Sequence, residues 1–518
     1  MSQDVSAPAV TPDGPASRSQ HDYVRPMAIG VTLVAFVVRI AFLGNQSYWG
    51  DELFSLNQAA GDLRHVFDAG LAEIHTPLYA TLLWGWVSLG GTATLWTHAL
   101  SGLFGLLAVG AAYVHLRTPK LSSTARWIAV AATAANGFGI VYSQESRPYA
   151  LVLLGATGLT AVTIVQVVAR PQRPARAGAV WLGWALLTAT AHLLGAVLVA
   201  ATALLLAGKG LSERRYRLAF AQLGLAVAAV LPQLAWIISG LGRPRFAAGT
   251  SWIEAPGAHD AWTLLTTVFS SGELVPLRDG FAWTSATGVA VAAVLLVLAL
   301  FAGRGVSPAD WDGDAGAGLT LFLLAAAILV TVLVASHWIH IWTLRNMIVL
   351  TPALTWGVAW MIVGSPRQES VRQIMGVAIL VALLVSMAPL AASLRQPYKT
   401  DWRGLLLYLE RERALHPSAT FSFFGGGPKG AFLAADRGRS PASLQHIYDH
   451  VDLNPFSPEG VGQLRRIPGP QVVVYYASIA HPRPPEIEQA IQGRLRDPGC
   501  RPVPVYGFIV VECGTSGG

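Results

Sequence analysis

A series of apolar segments of helical length recurs between residues 26 and 393 and limits the folds that this chain can adopt. Apolar runs of about 20 residues match the hydrocarbon thickness of a bilayer, so the chain is predicted to cross a membrane many times. Hydrophobic residues make up 53% of the chain and charged residues only 13%, which excludes a soluble globular protein. The predicted segments are 26–44, 77–91, 95–116, 126–143, 147–169, 177–191, 193–208, 216–241, 281–303, 316–336, 345–364 and 372–393.

Short clusters of Lys and Arg alternate with these segments and predict their orientation. Basic connections are retained in the cytoplasm, and the connections poor in Lys and Arg face the outside. The formal charge of +7 is spread over these clusters rather than over one basic face, so no nucleic-acid partner is predicted. The charge pattern fits best if the short segment 77–91 does not cross, and the fold class is then an α-helical polytopic membrane protein with about 11 to 13 transmembrane helices.

The chain divides into three predicted parts. Residues 1–24 form a disordered cytoplasmic tail, residues 25–393 the transmembrane domain with a first outer loop at 45–76, and residues 394–518 a small extracytoplasmic α/β domain. Within the last part we predict helices at 401–412 and 485–495 and strands at 420–424, 471–477 and 506–512. An oxidising compartment predicts a bridge between Cys500 and Cys513, with two separate thiols as the alternative.

An acidic pair, Asp51 and Glu52, opens the segment that follows the first apolar run. Carboxylates at a membrane boundary are costly unless they are paired, solvated or used in chemistry. Capping of a following helix would explain one carboxylate, but not two between Trp49 and an apolar run. We therefore predict that Asp51 and Glu52 are catalytic, with capping as the alternative.

The same outer loop ends in His75-Thr76-Pro77-Leu78-Tyr79. This turn returns the chain to the membrane surface near the acidic pair, so His75 and Tyr79 are predicted to bind substrate. An interfacial histidine bonded to the backbone is the alternative for His75.

Basic and acidic side chains occur at two later outer tips of the chain. Glu145, Arg147 and Tyr149 lie in YSQESRPY, and Arg345 begins a late segment. A guanidinium is well suited to a phosphate, so these residues, joined by Arg39 of the first segment, predict an anionic headgroup site. Simple interface anchoring is the alternative. The pair His337 and His340 lacks further identifiable ligands, so a metal site is not indicated, and a divalent metal is the alternative there.

Taken in order, these motifs carry a family resemblance. W-x-D-E at 49–52, H-x-P-L-Y at 75–79, S-Q-E-x-R-x-Y at 143–149, R-N at 345–346 and DWRGLLLYL at 401–409 resemble the GT-C superfamily of polytopic glycosyltransferases. The similarity is greatest to the branch of protein O-mannosyltransferases, lipid A aminoarabinose transferases and galacturonosyltransferases. Where the aminoarabinose branch has a phosphate-binding lysine and an arginine, this chain has His75 and Phe54, so Arg147 and Arg345 are expected to hold the phosphate instead.

The resemblance implies a transferase in the bacterial inner membrane with its site on the outer side. Such an enzyme moves a sugar from a polyprenyl phosphate donor to a lipid, glycan or protein acceptor hydroxyl. Asp51 would be the general base, the anomeric centre would be inverted, and no cofactor would be required. The alternatives are a transporter, a lipid-linked glycan flippase or a glycan ligase; transporters usually place ionisable residues near the midplane, whereas here they cluster at one face.

Overall fold

The computed structural model describes residues 22–71, 76–241, 253–270, 293–295, 297–299, 312–365, 368–395, 399, 401–424, 471–475, 485–505 and 507–514. Within these residues the chain is mainly helical, with one small sheet near the C-terminus. The α-helices are α1 (Val24–Ala41), α2 (Gly50–Gln58), α3 (Leu63–Gly70), α4 (Leu78–Gly90), α5 (Thr94–His115), α6 (Ser123–Ala135), α7 (Gly137–Tyr142), α8 (Tyr149–Val168), α9 (Pro174–Ala191), α10 (Leu193–Ser212), α11 (Tyr216–Gly240), α12 (Ala258–Ser270), α13 (Asp314–Ile339), α14 (Thr351–Gly364), α15 (Glu369–Leu394), α16 (Trp402–Leu415) and α17 (Pro485–Leu495). A 3₁₀ helix, Leu344–Leu350, leads directly into α14.

Eight helical stretches in the described part of the chain are long and apolar enough to cross a membrane. They correspond to α1, α5, α8, α10, α11, α13, the joined 3₁₀ helix and α14, and α15, which makes this a multi-pass membrane protein. Helix α4 has 13 residues and rises about 20 Å, which is short of the hydrocarbon thickness. The predicted segment at 281–303 lies almost entirely outside the described residues.

The predicted single helix at 126–143 is wrong, because the chain breaks at Asn136. Asn136 is extended, with φ −64° and ψ 132°, and its side-chain oxygen accepts a hydrogen bond from the backbone N–H of Gly139. It thereby ends α6 and caps α7, since asparagine competes well for the free donors of a helix N-terminus. The break lets α7 deliver residues 143–148 to one end of the helical bundle.

Two spans lie at the centre of the bundle. In α8 and in the 3₁₀–α14 stretch, 89% and 94% of the span is buried, against 22% in α11. Glycine permits the close packing of α13 on α14, because a Cβ on Gly357 would lie 2.9 Å from the backbone nitrogen of Phe322. These central spans begin at Tyr149 and next to Arg345, so rigid elements position both residues.

The C-terminal region contains a four-stranded sheet, β1 (Thr420–Phe424), β2 (Gln471–Tyr475), β3 (Cys500–Val505) and β4 (Phe508–Cys513), in the order β1-β2-β4-β3. Strands β1 and β2 are parallel, and the other two pairs are antiparallel. The predicted bridge is confirmed: Cys500 and Cys513 face each other in the register of β3 and β4 and form a disulfide. Strand β3 was not predicted from the sequence; its two prolines are tolerated because it is an edge strand.

Candidate active site

Helix α2 separates the two members of the acidic pair. Trp49 is extended at the N-cap, and its backbone N–H donates to Oε2 of Glu52 at 3.4 Å. Consecutive residues of a helix point about 100° apart, so Asp51 and Glu52 face different surroundings. The Asp51 side chain is 31% exposed, whereas that of Glu52 is fully buried. Of the two, only Asp51 is open to a ligand.

Two arginines from distant elements meet at Asp51. Nη1 of Arg345 lies 2.7 Å from Oδ2 of Asp51, and Nη2 of Arg147 lies 3.9 Å from the same oxygen. Arg147 also donates from Nη1 to the Asp51 carbonyl oxygen at 3.1 Å and to Oγ of Ser55 at 2.9 Å. The two guanidinium groups and one carboxylate leave a surplus positive charge, partly open to solvent.

Aromatic rings orient these guanidinium groups. The guanidinium carbon of Arg345 lies 5.4 Å from the ring centre of Trp49 and 5.9 Å from that of Tyr149. Arg147 lies 6.0 Å from the ring centre of Tyr149. A cation over an aromatic face is attracted by the ring quadrupole, so the rings favour one side-chain conformation for each arginine. The result is a preformed cationic site beside Asp51.

Besides the Trp49 backbone N–H, three further groups hold Glu52 in the interior. Its Oε1 lies 2.7 Å from Nε2 of His98 and accepts from the backbone N–H of Ser146 at 2.7 Å, while Oε2 accepts from Nζ of Lys399 at 3.1 Å. Burial raises the pKa of the Glu52 carboxyl, but Lys399 and His98 outweigh burial and lower that pKa to about 2. Glu52 is therefore a buried anion at neutral pH.

Lys399 and His98 were missed by the sequence analysis. Lys399 lies between α15 and α16, and its Nζ also contacts Oε1 of Glu145 at 3.4 Å and the Gln144 carbonyl oxygen at 3.3 Å. A lysine on the side predicted to face outward departs from the positive-inside pattern, and that departure was the available signal. His98 had no local signal, because it is a single histidine within an apolar span.

The other predicted substrate-binding residues occupy different positions around this site. Glu145 is buried, and burial raises the pKa of its carboxyl despite the nearby Lys399. Tyr149 is buried beneath the two arginines. Tyr79 is buried as well, and its hydroxyl lies 3.2 Å from Oγ of Ser101. His75 lies outside the described residues, so its predicted role stays a prediction.

Arg39 does not join the cationic site, contrary to the expectation from the sequence. Its side chain is fully buried in α1, where Nη2 donates to the Ala134 carbonyl oxygen at 3.1 Å. The backbone of Arg39 still contributes, because its carbonyl oxygen accepts from Nε2 of Gln144 at 3.2 Å. The arginine thus packs behind the 143–148 segment instead of lining the open face.

In the described part of the chain, a single group of three side chains has metal-ligand atoms close to one another: Glu412, His416 and Glu512 of the C-terminal region. Glu512 is already engaged by Arg501 at 3.0 Å and by the Tyr408 hydroxyl at 3.1 Å. His340 directs Nδ1 to the Ile253 carbonyl oxygen at 2.8 Å.

Comparison with known proteins identifies the fold. No protein-family model and no curated protein matches the chain. The crystal structure of ArnT from Cupriavidus metallidurans in the apo state matches with a TM-score of 0.53 and 13% identity, covering 94% of this chain and 98% of that chain. The structure of the same protein bound to undecaprenyl phosphate gives a TM-score of 0.41 and 14% identity over the same shares. The likeness to the apo structure shows that this chain shares the fold of that protein, which confirms the predicted α-helical polytopic membrane architecture.

Proposed function

We propose that this protein is a membrane glycosyltransferase that moves a sugar from a polyprenyl-phosphate-linked donor to an acceptor hydroxyl. The reaction takes place on the extracytoplasmic side, with inversion at the anomeric carbon. The observation that carries the proposal is the meeting of Asp51 with Arg345 and Arg147 at the ends of the central spans. The motif resemblance to GT-C transferases, and the shared fold, support the same reaction class.

The two arginines would bind the phosphate of the donor. A guanidinium presents parallel N–H donors that match two phosphate oxygens, and two such groups suit a dianionic or monoanionic phosphate at a membrane surface. Their side chains are 13% and 21% exposed, so they are accessible yet largely removed from solvent. Electrostatic attraction is stronger there than in bulk water.

Asp51 would act on the acceptor. Once the phosphate occupies the arginines, the Asp51 carboxylate loses part of its ion pairing and becomes a better proton acceptor. The acceptor oxygen attacks the anomeric carbon, its proton passes to Asp51, and the bond from that carbon to the phosphate oxygen breaks. The leaving phosphate keeps the bonding electron pair, and Arg345 and Arg147 stabilise its developing charge. No other nucleophile is needed.

Glu52, although predicted to be catalytic from the sequence, is better placed as a structural anchor under this proposal. It is fully buried and contacts four donor groups, so it has no open face for a substrate. Its burial ties α2 to the 143–148 segment, which carries Arg147.

The test is transfer by purified protein from a panel of polyprenyl phosphate sugars, with release of the carrier as the readout. We expect turnover with at least one donor, and its loss in Asp51→Asn. The matched control is Asp68→Asn, an acid on the nearby α3 whose side chain is 66% exposed. Turnover equal to wild type in Asp51→Asn would remove Asp51 from the mechanism, and transport of the donor without transfer would favour a flippase.

A further inference from the structure

Lys399 is a buried cation that reaches the site from the connection between α15 and α16. Its side chain is 4% exposed, and its Nζ lies 3.1 Å from Oε2 of Glu52 and 3.4 Å from Oε1 of Glu145. The Gln144 carbonyl oxygen lies 3.3 Å away and accepts a third hydrogen bond. Nothing in the proposed chemistry uses this ammonium group directly, because it faces the interior rather than the open side of Asp51.

Removal of Lys399 would take away the cation that two buried carboxylates share. Two buried carboxylates, Glu52 and Glu145, share this one ammonium group, and Glu52 has His98 as a further partner. Without Lys399 the two negative charges would face each other in a medium of low dielectric constant, where such repulsion is strong. The segment that carries Glu145 would then be driven away from α2.

That displacement would reach the proposed catalytic groups. Ser146 donates its backbone N–H to Glu52 at 2.7 Å, and the next residue is Arg147, which bonds the Asp51 carbonyl oxygen. The connection is also fixed at its start, since Nε2 of Gln46 donates to the Leu394 carbonyl oxygen at 3.1 Å. Lys399 therefore links three parts of the chain: α2, the 143–148 segment, and the connection that leads to the C-terminal region.

We infer that Lys399 is a positioning residue for the proposed transfer. By pairing with Glu52 and Glu145 it fixes Arg147 beside Asp51, and it makes the connection to the C-terminal region part of the site's framework. This inference rests on the proposed function for its kinetic consequence, while its structural consequence can be measured without any substrate.

The test compares four variants with wild type: Lys399→Met, Lys399→Arg, Glu145→Gln and the double variant Lys399→Met/Glu145→Gln. We expect Lys399→Met to lower kcat at least about tenfold, because misplaced catalytic groups slow the chemical step. We expect its donor KM to change by less than about threefold, because the ammonium group does not touch the substrate. Lys399→Arg should keep most of kcat, and the double variant should recover to the level of Glu145→Gln, because charge balance is restored. Lys120→Met, which removes an exposed lysine paired with Asp312, is the control.

A second readout is hydrogen–deuterium exchange of residues 50–58 and 143–148. Both segments should exchange faster in Lys399→Met than in wild type, and the double variant should return them toward their original rates. Unchanged exchange in Lys399→Met, or a double variant no better than the single one, would overturn the inference. Absence of turnover in wild type with every donor would instead contradict the proposed function and leave the exchange result to decide the role of Lys399.

Discussion

Oδ2 of Asp51 and Nη1 of Arg345 lie 2.7 Å apart, although 294 positions separate the two residues in the sequence (345 − 51). The contact joins the start of α2 to the start of a central span. The Asp51 carboxylate is therefore paired with one of the two arginines that the proposed donor phosphate would need. When the phosphate binds Arg345 in its place, Asp51 is released from the ion pair and can act as the base.

This exchange predicts that Asp51→Asn binds the free carrier phosphate more tightly than wild type. The neutral amide neither competes for Arg345 nor repels the phosphate, so we expect affinity to rise about threefold to tenfold, or about 0.7 to 1.4 kcal/mol. The measurement is titration of detergent-solubilised protein with undecaprenyl phosphate at fixed ionic strength. Weaker binding in Asp51→Asn would show that the carboxylate organises the arginines instead of competing with the ligand.

Arg147→Ala and Arg345→Ala should each weaken carrier binding by about 1 to 3 kcal/mol, the range for a hydrogen bond to a charged group. Arg345→Lys should recover only part of the loss, because an ammonium group lacks the two parallel donors. Arg64→Ala is the control, since Arg64 lies on the nearby α3 with its side chain 88% exposed. The same titration measures all four variants, and affinities equal to wild type in both alanine variants would contradict the phosphate site.

Glu52→Gln should destabilise the protein, whereas Asp51→Asn should not. Glutamine cannot replace a carboxylate that accepts from Ser146 and Lys399 and contacts His98, and it leaves the ammonium group less compensated. Loss of one partner of a buried ion pair costs about 3 to 5 kcal/mol. Thermal unfolding in detergent should show a clearly lower midpoint for Glu52→Gln. A midpoint equal to that of Asp51→Asn would argue against the structural role of Glu52.

His192 predicts a pH dependence of stability. It is buried between α9 and α10, and its Nδ1 accepts from the backbone N–H of Leu194 at 3.1 Å. Burial, joined by repulsion from Arg147 and Arg345, lowers the pKa of His192 to about 4, against about 6.5 in the unfolded chain. As pH falls from about 6.5 to about 4, the unfolded state takes up the proton and the folded state does not, so stability decreases by up to about 3 kcal/mol.

The matched variant for His192 is His192→Asn, which can still cap α10 but does not titrate. Unfolding midpoints of both proteins should be compared between about pH 7 and pH 4.5, a window set by the two pKa values. As pH is lowered, we expect the unfolding midpoint of wild type to fall more steeply than that of His192→Asn. If the two midpoints fall in parallel, His192 does not contribute to the pH dependence of stability.

Elements that local patterns control could be predicted from the sequence. Apolar runs located the long helices, and runs of β-branched and aromatic residues located β1, β2 and β4, because burial periodicity is a local property. The break at Asn136 was missed, because asparagine is only moderately unfavourable inside a helix and the surrounding run is apolar on both sides. Strand β3 was missed because its prolines disfavour a strand everywhere except at an edge.

The candidate site was predictable to the extent that its residues lie in recognisable motifs. Asp51, Arg147 and Arg345 come from three such motifs, and the structure brings them together. The difference in exposure between Asp51 and Glu52 could not be predicted, because it depends on how α2 packs against elements that are distant in the sequence. Lys399 pairs with Glu52 in the interior of the site, although 347 positions separate the two residues in the sequence. Only the tertiary fold defines this pairing.

The capped start of α2 makes the two adjacent acids non-interchangeable. Deletion of Gly50, the single residue between Trp49 and Asp51, would turn the helix by about 100° and bring Glu52 to the position that Asp51 now holds. The number of residues in this short stretch therefore decides which acid faces Arg147 and Arg345. A chain with both acids and both arginines intact, but one residue shorter at that point, would present the arginines with the wrong acid.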